Sequence, residues 1–433
     1  MRQFRTCPAR SPVSRLRRTD LWMTACSSAI ALAITTLGSG PVSAAAGPAN
    51  APGVTAKTVT VGMLTSVTGP NASAYPGAVA GTRARLALQN ARGGVDGRKI
   101  ELVVGDDQSS PGSVLPAVEN MVSNQHAFAI LAETGLFFVA AHFLQQNGVP
   151  VVGSSADGNE WFMKPYTNMF SFTPSSRNFP AYTGMATFMK QHGVTNVASL
   201  GYGISPSSAA AAKGFALSAQ KEGMKVGYLD ASVPFAGVNV TTDVLGMTKA
   251  HVDGLYLPLA FDTNLAMTLG AKQAGLHLKV ALSATGYGST LLSQPAAVQA
   301  MQGAYLSVSQ TPVELHTPAT KVQQAALKKY AHFTGVPDYG YTIGWLSADL
   351  FIRGLELAGR HPTRQSFMTN LRKVKSYNGG GLLPQPVDFA QAFGNPPRTS
   401  CGYIVQLRGK TFVPTPRNGK PVCGTLIPSS EQG

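Results

Sequence analysis

Thr58-Val59-Thr60-Val61-Gly62-Met63-Leu64 is a β-branched, apolar run, and a segment of helical period over 78–91 follows it after a polar stretch. A short apolar run followed by a 3.6-residue period is the start of a β-α unit. The same alternation continues with strands expected over 100–104, 127–131 and 149–152 and helices over 113–124 and 136–146. It then restarts. Helices are expected over 181–191, 207–222, 240–250 and 264–274, and strands over 196–200, 224–229, 254–257 and 280–283. Two tandem units of this kind predict an α/β protein with two Rossmann-like lobes, each a parallel sheet wrapped by helices. Further helices over 320–334, 341–358 and 363–373 could cover either unit.

Between the units runs Met169-Phe170-Ser171-Phe172-Thr173-Pro174-Ser175-Ser176-Arg177-Asn178, an extended apolar stretch turning polar, and it reads as a crossing strand. Residues 304–311 and Gly379-Gly380-Gly381 are two more expected crossings, so a three-strand hinge is predicted. The lobes then fall at 57–175 with 310–376, and at 180–303 with a return through 377–433 that ends in a C-terminal hairpin. A ligand would sit between the facing strand ends.

Outside these units the chain carries an export signal. Basic residues ending in Arg17-Arg18 precede an apolar run from Ala25 to Leu37, then Gly38-Ser39-Gly40-Pro41 and Val42-Ser43-Ala44-Ala45-Ala46. This is the order of a secretory signal over 1–44, with 45–56 as linker. No stretch reaches the roughly 20 apolar residues of a membrane-spanning helix. Arg17-Arg18 with Leu21 weakly resembles a twin-arginine signal, with Asp20 out of pattern, and the Sec route stays open. Met23-Thr24-Ala25-Cys26 loosely resembles a lipoprotein box, but lies before most of the apolar run, so lipid anchoring stays a minor alternative.

The net charge of the 433 residues is +15, from 35 Lys+Arg and 20 Asp+Glu, with 44% hydrophobic residues. Six of the Arg and one acid belong to residues 1–44, leaving 29 − 19 = +10 for the rest. That charge is scattered, without basic blocks or interleaved aromatics, which argues against a nucleic-acid groove. Cys7 and Cys26 leave with the signal. Cys401 and Cys423 remain, an even pair in an exported chain, and a disulfide between them is expected to close a hairpin turning at Arg408-Gly409-Lys410.

The residues Val59-Thr60-Val61-Gly62-Met63-Leu64-Thr65-Ser66-Val67-Thr68-Gly69-Pro70, Gly81-Thr82-Arg83, Asn90 to Lys99 and Asp106-Asp107 resemble the start of extracytoplasmic solute-binding proteins typified by the branched-chain amino-acid binders. The likeness continues through Asn147 to Ser154 and Ala271 to Leu276, and covers about residues 57–375. It implies a type I periplasmic-binding-protein fold, lobe closure over a small solute, delivery to the permease of an ABC importer, a monomer, and no catalysis or cofactor.

The resemblance places a ligand carboxylate on Ala132-Glu133-Thr134-Gly135, ahead of the helix expected over 136–146. A helix N-terminus offers free N–H groups and a positive dipole end, and Thr134 adds a hydroxyl, although a hydroxyl residue there can serve as a cap alone. Glu133 beside such a site must point away, or else recognise a cationic or amide-like group. The loop Ser154-Ser155-Ala156-Asp157-Gly158 is where the family meets the ligand's amino group. Asp157 stands where branched-chain amino-acid binders have a hydroxyl residue; it could equally cap its own turn. In the second lobe Tyr202, Phe261, Asp262 and Tyr287 follow strands and are candidates to close over the ligand, with Tyr75 opposite them. Each aromatic could instead pack within its own lobe. The family's Glu partner for an α-ammonium is replaced by Ala284-Thr285-Gly286-Tyr287, and the first-lobe cysteine pair is absent near Gln108 and Glu133. An unpaired buried ammonium is costly, so amides, urea-like solutes and small acids stand beside amino acids as ligands.

Two rival readings differ in class. One is a ligand-sensing subunit of a receptor complex. The other is an exported α/β hydrolase, for which the chain has no Gly-x-Ser-x-Gly, no P-loop and no paired metal-ligand spacing; Gly201-Tyr202-Gly203 is only a fragment of a dinucleotide loop.

Overall fold

The computed structural model describes residues 51–155, 158–173, 180–235, 240–391, 393 and 396–428. In the first lobe β1 (Thr58–Thr65), β2 (Lys99–Asp106), β3 (Ile130–Glu133), β4 (Val151–Gly153) and β5 (Met169–Ser171) form a parallel sheet in the order β2-β1-β3-β4-β5. Helices α1 (Ala78–Ala91), α2 (Pro111–Glu119) and α3 (Ala141–Gln146) connect its strands. β1 is buried along both faces, which is why it reads as nearly continuous apolar sequence. Val59, Val61 and Met63 enter one core with α1, while Leu64 enters another with Val114, Val118 and Phe137.

The second lobe runs α4 (Gly184–Gln191), β6 (Asn196–Tyr202), α5 (Pro206–Lys221), β7 (Lys225–Val233), α6 (Val240–Lys249), β8 (Gly254–Leu257), α7 (Phe261–Gln273), β9 (Val280–Ser283), α8 (Ser289–Leu292), α9 (Pro295–Ala300) and β10 (Tyr305–Val308). The chain then forms α10 (Pro318–Ala331), which packs on α1, α11 (Tyr339–Ala358), which packs on β3 and β4, and α12 (Arg364–Leu371), whose Phe367 meets Phe170 of β5. It returns as β11 (Thr399–Arg408), β12 (Thr411–Thr415) and β13 (Val422–Thr425). The second sheet has the order β12-β11-β10-β9-β8-β6-β7, parallel from β10 to β7, with β11 and β12 antiparallel at its edge. β13 pairs with β11, placing Cys401 opposite Cys423, and the two are joined by a disulfide.

Close backbone approach sets α11 against α1. A Cβ on Gly81 would come within 2.0 Å of the Tyr341 carbonyl oxygen, and one on Gly344 within 2.2 Å of that of Ala78. Thr82 Oγ1 donates to the Gly344 carbonyl at 3.0 Å, and Arg85 pairs with Asp349 at 2.9 Å.

Some local expectations change. The helix expected over 136–146 opens as a 3-10 turn, Phe137–Ala140, because Phe137 is drawn into the core against Trp161 at 6.1 Å. α7 begins at Phe261, so Phe261 and Asp262 lie in a helix's first turn and not in a loop. Tyr202 is the last residue of β6 instead of following it. Gly379–Gly381 is a 3-10 turn held in the first lobe, where the Thr311 N–H bonds the Leu382 carbonyl at 2.7 Å and Tyr377 pairs with Val387. Phe389 still packs on Phe170 of β5, at 5.8 Å, so the return to the second lobe begins after that residue and not at the glycines. Within the expected crossing at 174–180, residues 174–179 lie outside the described residues.

Candidate functional site

In the first sheet the chain leaves β1 toward β2 on one side and β3 on the other, and in the second it leaves β6 toward β7 and β8. Both are topological switch points, where crevices open at the carboxyl ends of strands. The side chains at the first are polar and mostly buried.

The loop after β1 is stapled to the loop after β2. Asp106 accepts N–H bonds from Val67 (3.0 Å), Thr68 (3.2 Å) and Gln108 (2.9 Å) and the Thr68 hydroxyl at 2.7 Å. Burial alone would raise its pKa, but these four donors outweigh it and hold the carboxyl below its usual range. Ser109 donates to the Thr68 carbonyl (2.9 Å) and accepts from the Asn71 N–H (3.0 Å). Asp107 is wholly buried, with Oδ1 on the Ser109 N–H at 2.8 Å and Oδ2 unpartnered.

At the end of β3, Thr134 is buried, and its hydroxyl accepts the Leu136 N–H at 3.2 Å across Gly135. It therefore serves as a local cap while retaining a hydroxyl proton. Glu133 takes the pointing-away alternative. Its side chain enters the layer beneath α11, where Ser347 donates to Oε1 and Oε2 has no partner. Burial raises its pKa to about 8, against the Ser347 hydrogen bond. Tyr339 lies in the first turn of α11, and its phenol is pushed up by burial and then by the Glu133 charge.

After β4 the backbone turns left-handed at Ser155 (φ 51°). Its hydroxyl meets Thr173 Oγ1 at 2.6 Å, and Ser171 Oγ meets the same atom at 2.7 Å. Thr173 donates its single proton to the Ser154 carbonyl at 2.5 Å, so Ser155 and Ser171 are the donors to Thr173. Ala156 and Asp157 lie outside the described residues.

In the second lobe the Tyr202 hydroxyl meets Thr263 Oγ1 at 2.8 Å and accepts the Ala260 N–H at 3.2 Å. It thereby ties the ends of β6 and β8 together. Phe261 is buried and Asp262 exposed. Tyr287 donates to Glu314 at 2.7 Å, accepts the Val313 N–H at 3.0 Å and packs on Phe412. At Gly286 (φ 106°) a Cβ would lie 3.0 Å from the Phe261 ring, so this backbone leaves a larger side chain little room. Tyr75 packs near Tyr339, their ring centres 6.4 Å apart. Tyr75, Tyr202, Phe261 and Tyr287 belong to one apolar cluster that runs through both lobes. The lobes also meet directly. Ser289 donates its N–H to the Val336 carbonyl at 2.9 Å and accepts the Val336 N–H at 3.0 Å, while the Thr290 N–H bonds Asp338 at 3.0 Å.

The structure thus gathers Thr134, Gly135 and Ser155 on one crevice edge and the four aromatics in a shared cluster. Sequence reading missed Ser347, Tyr339 and Asp338, which reach the site from α11. The Pro337-Asp338-Tyr339-Gly340 helix start was the available signal for Asp338 and Tyr339. Among the described residues no group of three His, Cys, Asp or Glu could hold a metal, and no helix is long and apolar enough to cross a membrane.

Two parallel-sheet lobes, each with a switch point at its strand ends, define a two-lobed α/β scaffold. The chain belongs to the periplasmic binding protein family, whose model matches residues 58–411. A Leu/Ile/Val-binding protein homolog 3 of Brucella melitensis is 27% identical over 113 residues, 26% of this chain, and the match spans only 31% of that relative's length. Among solved structures, a fatty acid ABC transporter substrate-binding protein from Thermomonospora curvata superposes with a TM-score of 0.71 at 20% identity, covering 88% of this chain and 95% of that one. A solute-binding protein from R. palustris in complex with benzoate gives 0.68 at 16% identity, with 86% and 98% covered. A branched-chain amino acid ABC transporter protein from Thermus thermophilus with bound valine gives 0.68 at 19%, with 87% and 98% covered. These likenesses establish the type I fold.

Proposed function

We propose that the chain is an exported solute-binding protein that captures a small polar solute (an amino acid, amide or small organic acid) by lobe closure and delivers it to the permease of an ABC importer. The observation that carries this reading is the buried polar rim at the β3 and β4 ends, Thr134, Gly135 and Ser155, lying at a switch point beside aromatics shared with the other lobe. Such a rim offers preorganised polar groups, the Thr134 hydroxyl proton among them, whose contacts strengthen as closure excludes water. The fatty acid, benzoate and valine titles of its structural relatives support a small-molecule cargo. Thr134, Gly135 and the loop Ser155, Ala156 and Asp157 grip first, and Tyr75, Tyr202, Phe261, Asp262 and Tyr287 bury the solute. The protein works as a monomer in the cell envelope after losing residues 1–44.

Calorimetry of the mature protein against amino acids, amides, urea-type compounds and aromatic acids tests this. Asp157→Asn is expected to cost a nitrogen-donor solute about 1.5–3 kcal/mol, the scale of a hydrogen bond to a charged group, and to leave a purely anionic one unharmed. If Asp157→Asn and Thr134→Ala both leave an identified ligand's affinity unchanged, the site assignment fails.

A further inference from the structure

We infer that the second lobe carries a separate site, in the gap between α4 and α5, for a small uncharged molecule that is largely apolar and bears one hydrogen-bonding oxygen. A pocket of about 270 Å³ opens there, just under the size of drug-sized ligand sites and suited to a compact occupant. Residues from Pro180 to Met185 line one side and α5 the other, with Tyr256 of β8 and Ser400 of β11 completing it. None of the cleft residues named above takes part, so the inference does not depend on the cleft reading.

The lining sets the chemistry of the occupant. None of its residues is charged, and an ion entering it would give up its water for no counter-charge. Met185, Ala211 and Phe215 supply apolar surface that an apolar body covers. The polar signal is a phenol. β8 is a central strand of its sheet, and Leu255 and Leu257 on either side of Tyr256 are buried, yet Tyr256 itself is only half-buried. Its ring stacks on Phe215 of α5, the centres 4.4 Å apart and the planes 23° from parallel, which places it on the face of the sheet that carries the pocket. Tyr182, the other phenol in the lining, is already committed, for it donates to the Pro397 carbonyl at 2.9 Å. Among the described residues the Tyr256 hydroxyl meets no such partner, and burial alone pushes its pKa up to about 12. A phenol enclosed by protein normally finds a hydrogen-bond partner, and a ligand oxygen in this pocket would supply it.

The test is calorimetry of the full mature protein with acetophenone, and with ethylbenzene, which has the same skeleton without the oxygen. Acetophenone is expected to bind, and ethylbenzene about tenfold more weakly or not detectably, because it leaves the phenol unpaired. Tyr256→Phe keeps the ring on Phe215 and removes the hydroxyl, so it should lower acetophenone to the level of ethylbenzene and leave ethylbenzene where it was. Ala211→Leu, at a part-exposed helical position, fills the pocket and should weaken both probes, whereas Thr134→Ala, in the cleft, should weaken neither. That pattern upholds the site even where the cleft reading fails. If Thr134→Ala weakens acetophenone and Ala211→Leu does not, the probe occupies the cleft, and the second site is overturned while the cleft reading stands. A preference for acetophenone that survives Tyr256→Phe, or binding that none of the three changes touches, also overturns it. So does the absence of acetophenone binding at millimolar concentration.

Discussion

Glu133 leaves β3 for the layer beneath α11, where Ser347 is its hydrogen-bond partner, and that sets its chemistry. Its register partner on β1 is Thr65, and its contact is Ser347, 214 residues further along the chain. A carboxyl so enclosed is held as the neutral acid, with its pKa raised from 4.5 to about 8 by burial. The stability linked to this group is fully present below pH 4.5, the unfolded value, and is lost as pH rises to about 8, because unfolding then releases the proton. Glu133→Gln keeps the shape and the oxygen that faces Ser347 but cannot ionise. Denaturant melts from pH 5 to 9 are expected to show the wild type losing stability on the order of a few kcal/mol, with the variant flat and more stable at pH 8. Parallel profiles would mean that Glu133 is solvated and already charged. Family resemblance marked this place as that of a missing cysteine but could not supply the partner, since Ser347 sits mid-helix in an unremarkable apolar pattern.

At the scale of elements, the β-α alternation was legible because buried parallel strands need continuous apolar sequence and amphipathic helices need a 3.6 period. What failed were segments whose local signal was overruled by packing. The glycine triplet promised a crossing, yet its backbone curls into a turn whose neighbours bond it to residues 311 and 387 of the first lobe. The start of α7 was placed late, although Asp262 is the acid that a first turn favours. Thr134 and Ser155 were readable as loop residues, whereas Tyr339 and Asp338 arrive from a helix that sequence alone could not assign to either lobe. The disulfide was readable from cysteine parity. It clips β13 onto β11, and β13 in turn orders the start of α4, where the Thr183 N–H bonds the Thr425 carbonyl at 3.0 Å. Replacing both Cys401 and Cys423 by Ser opens a loop with a sequence separation of 22. That change should cost about 3 kcal/mol on the chain-entropy account, read as a lower denaturant midpoint with the solute affinity kept. An unchanged midpoint would show that strand pairing alone holds the C-terminus.

At the scale of the whole molecule the lobes meet at Ser289 and Thr290, and one of these contacts titrates. Ser289 and Val336 exchange two hydrogen bonds, and the Asp338 carboxylate caps the Thr290 N–H across the lobes. Burial raises the Asp338 pKa to about 6 from 3.8, and the Thr290 hydrogen bond offsets this only in part. If opening returns Asp338 to water and to its ordinary pKa, closure takes up a proton between those values, so acid favours the closed form. An uncharged solute such as an amide is then expected to bind about tenfold more tightly at about pH 5 than at about pH 7.5. Asp338→Asn retains an oxygen acceptor for Thr290 without the charge, and should erase that pH dependence while holding the tighter affinity throughout. Asp338→Ala removes the acceptor and should weaken binding at every pH. Fluorescence or calorimetric titrations of the three proteins separate these outcomes. A pH-independent wild type, or an alanine variant that binds as well as the asparagine one, would show that this contact does not report closure.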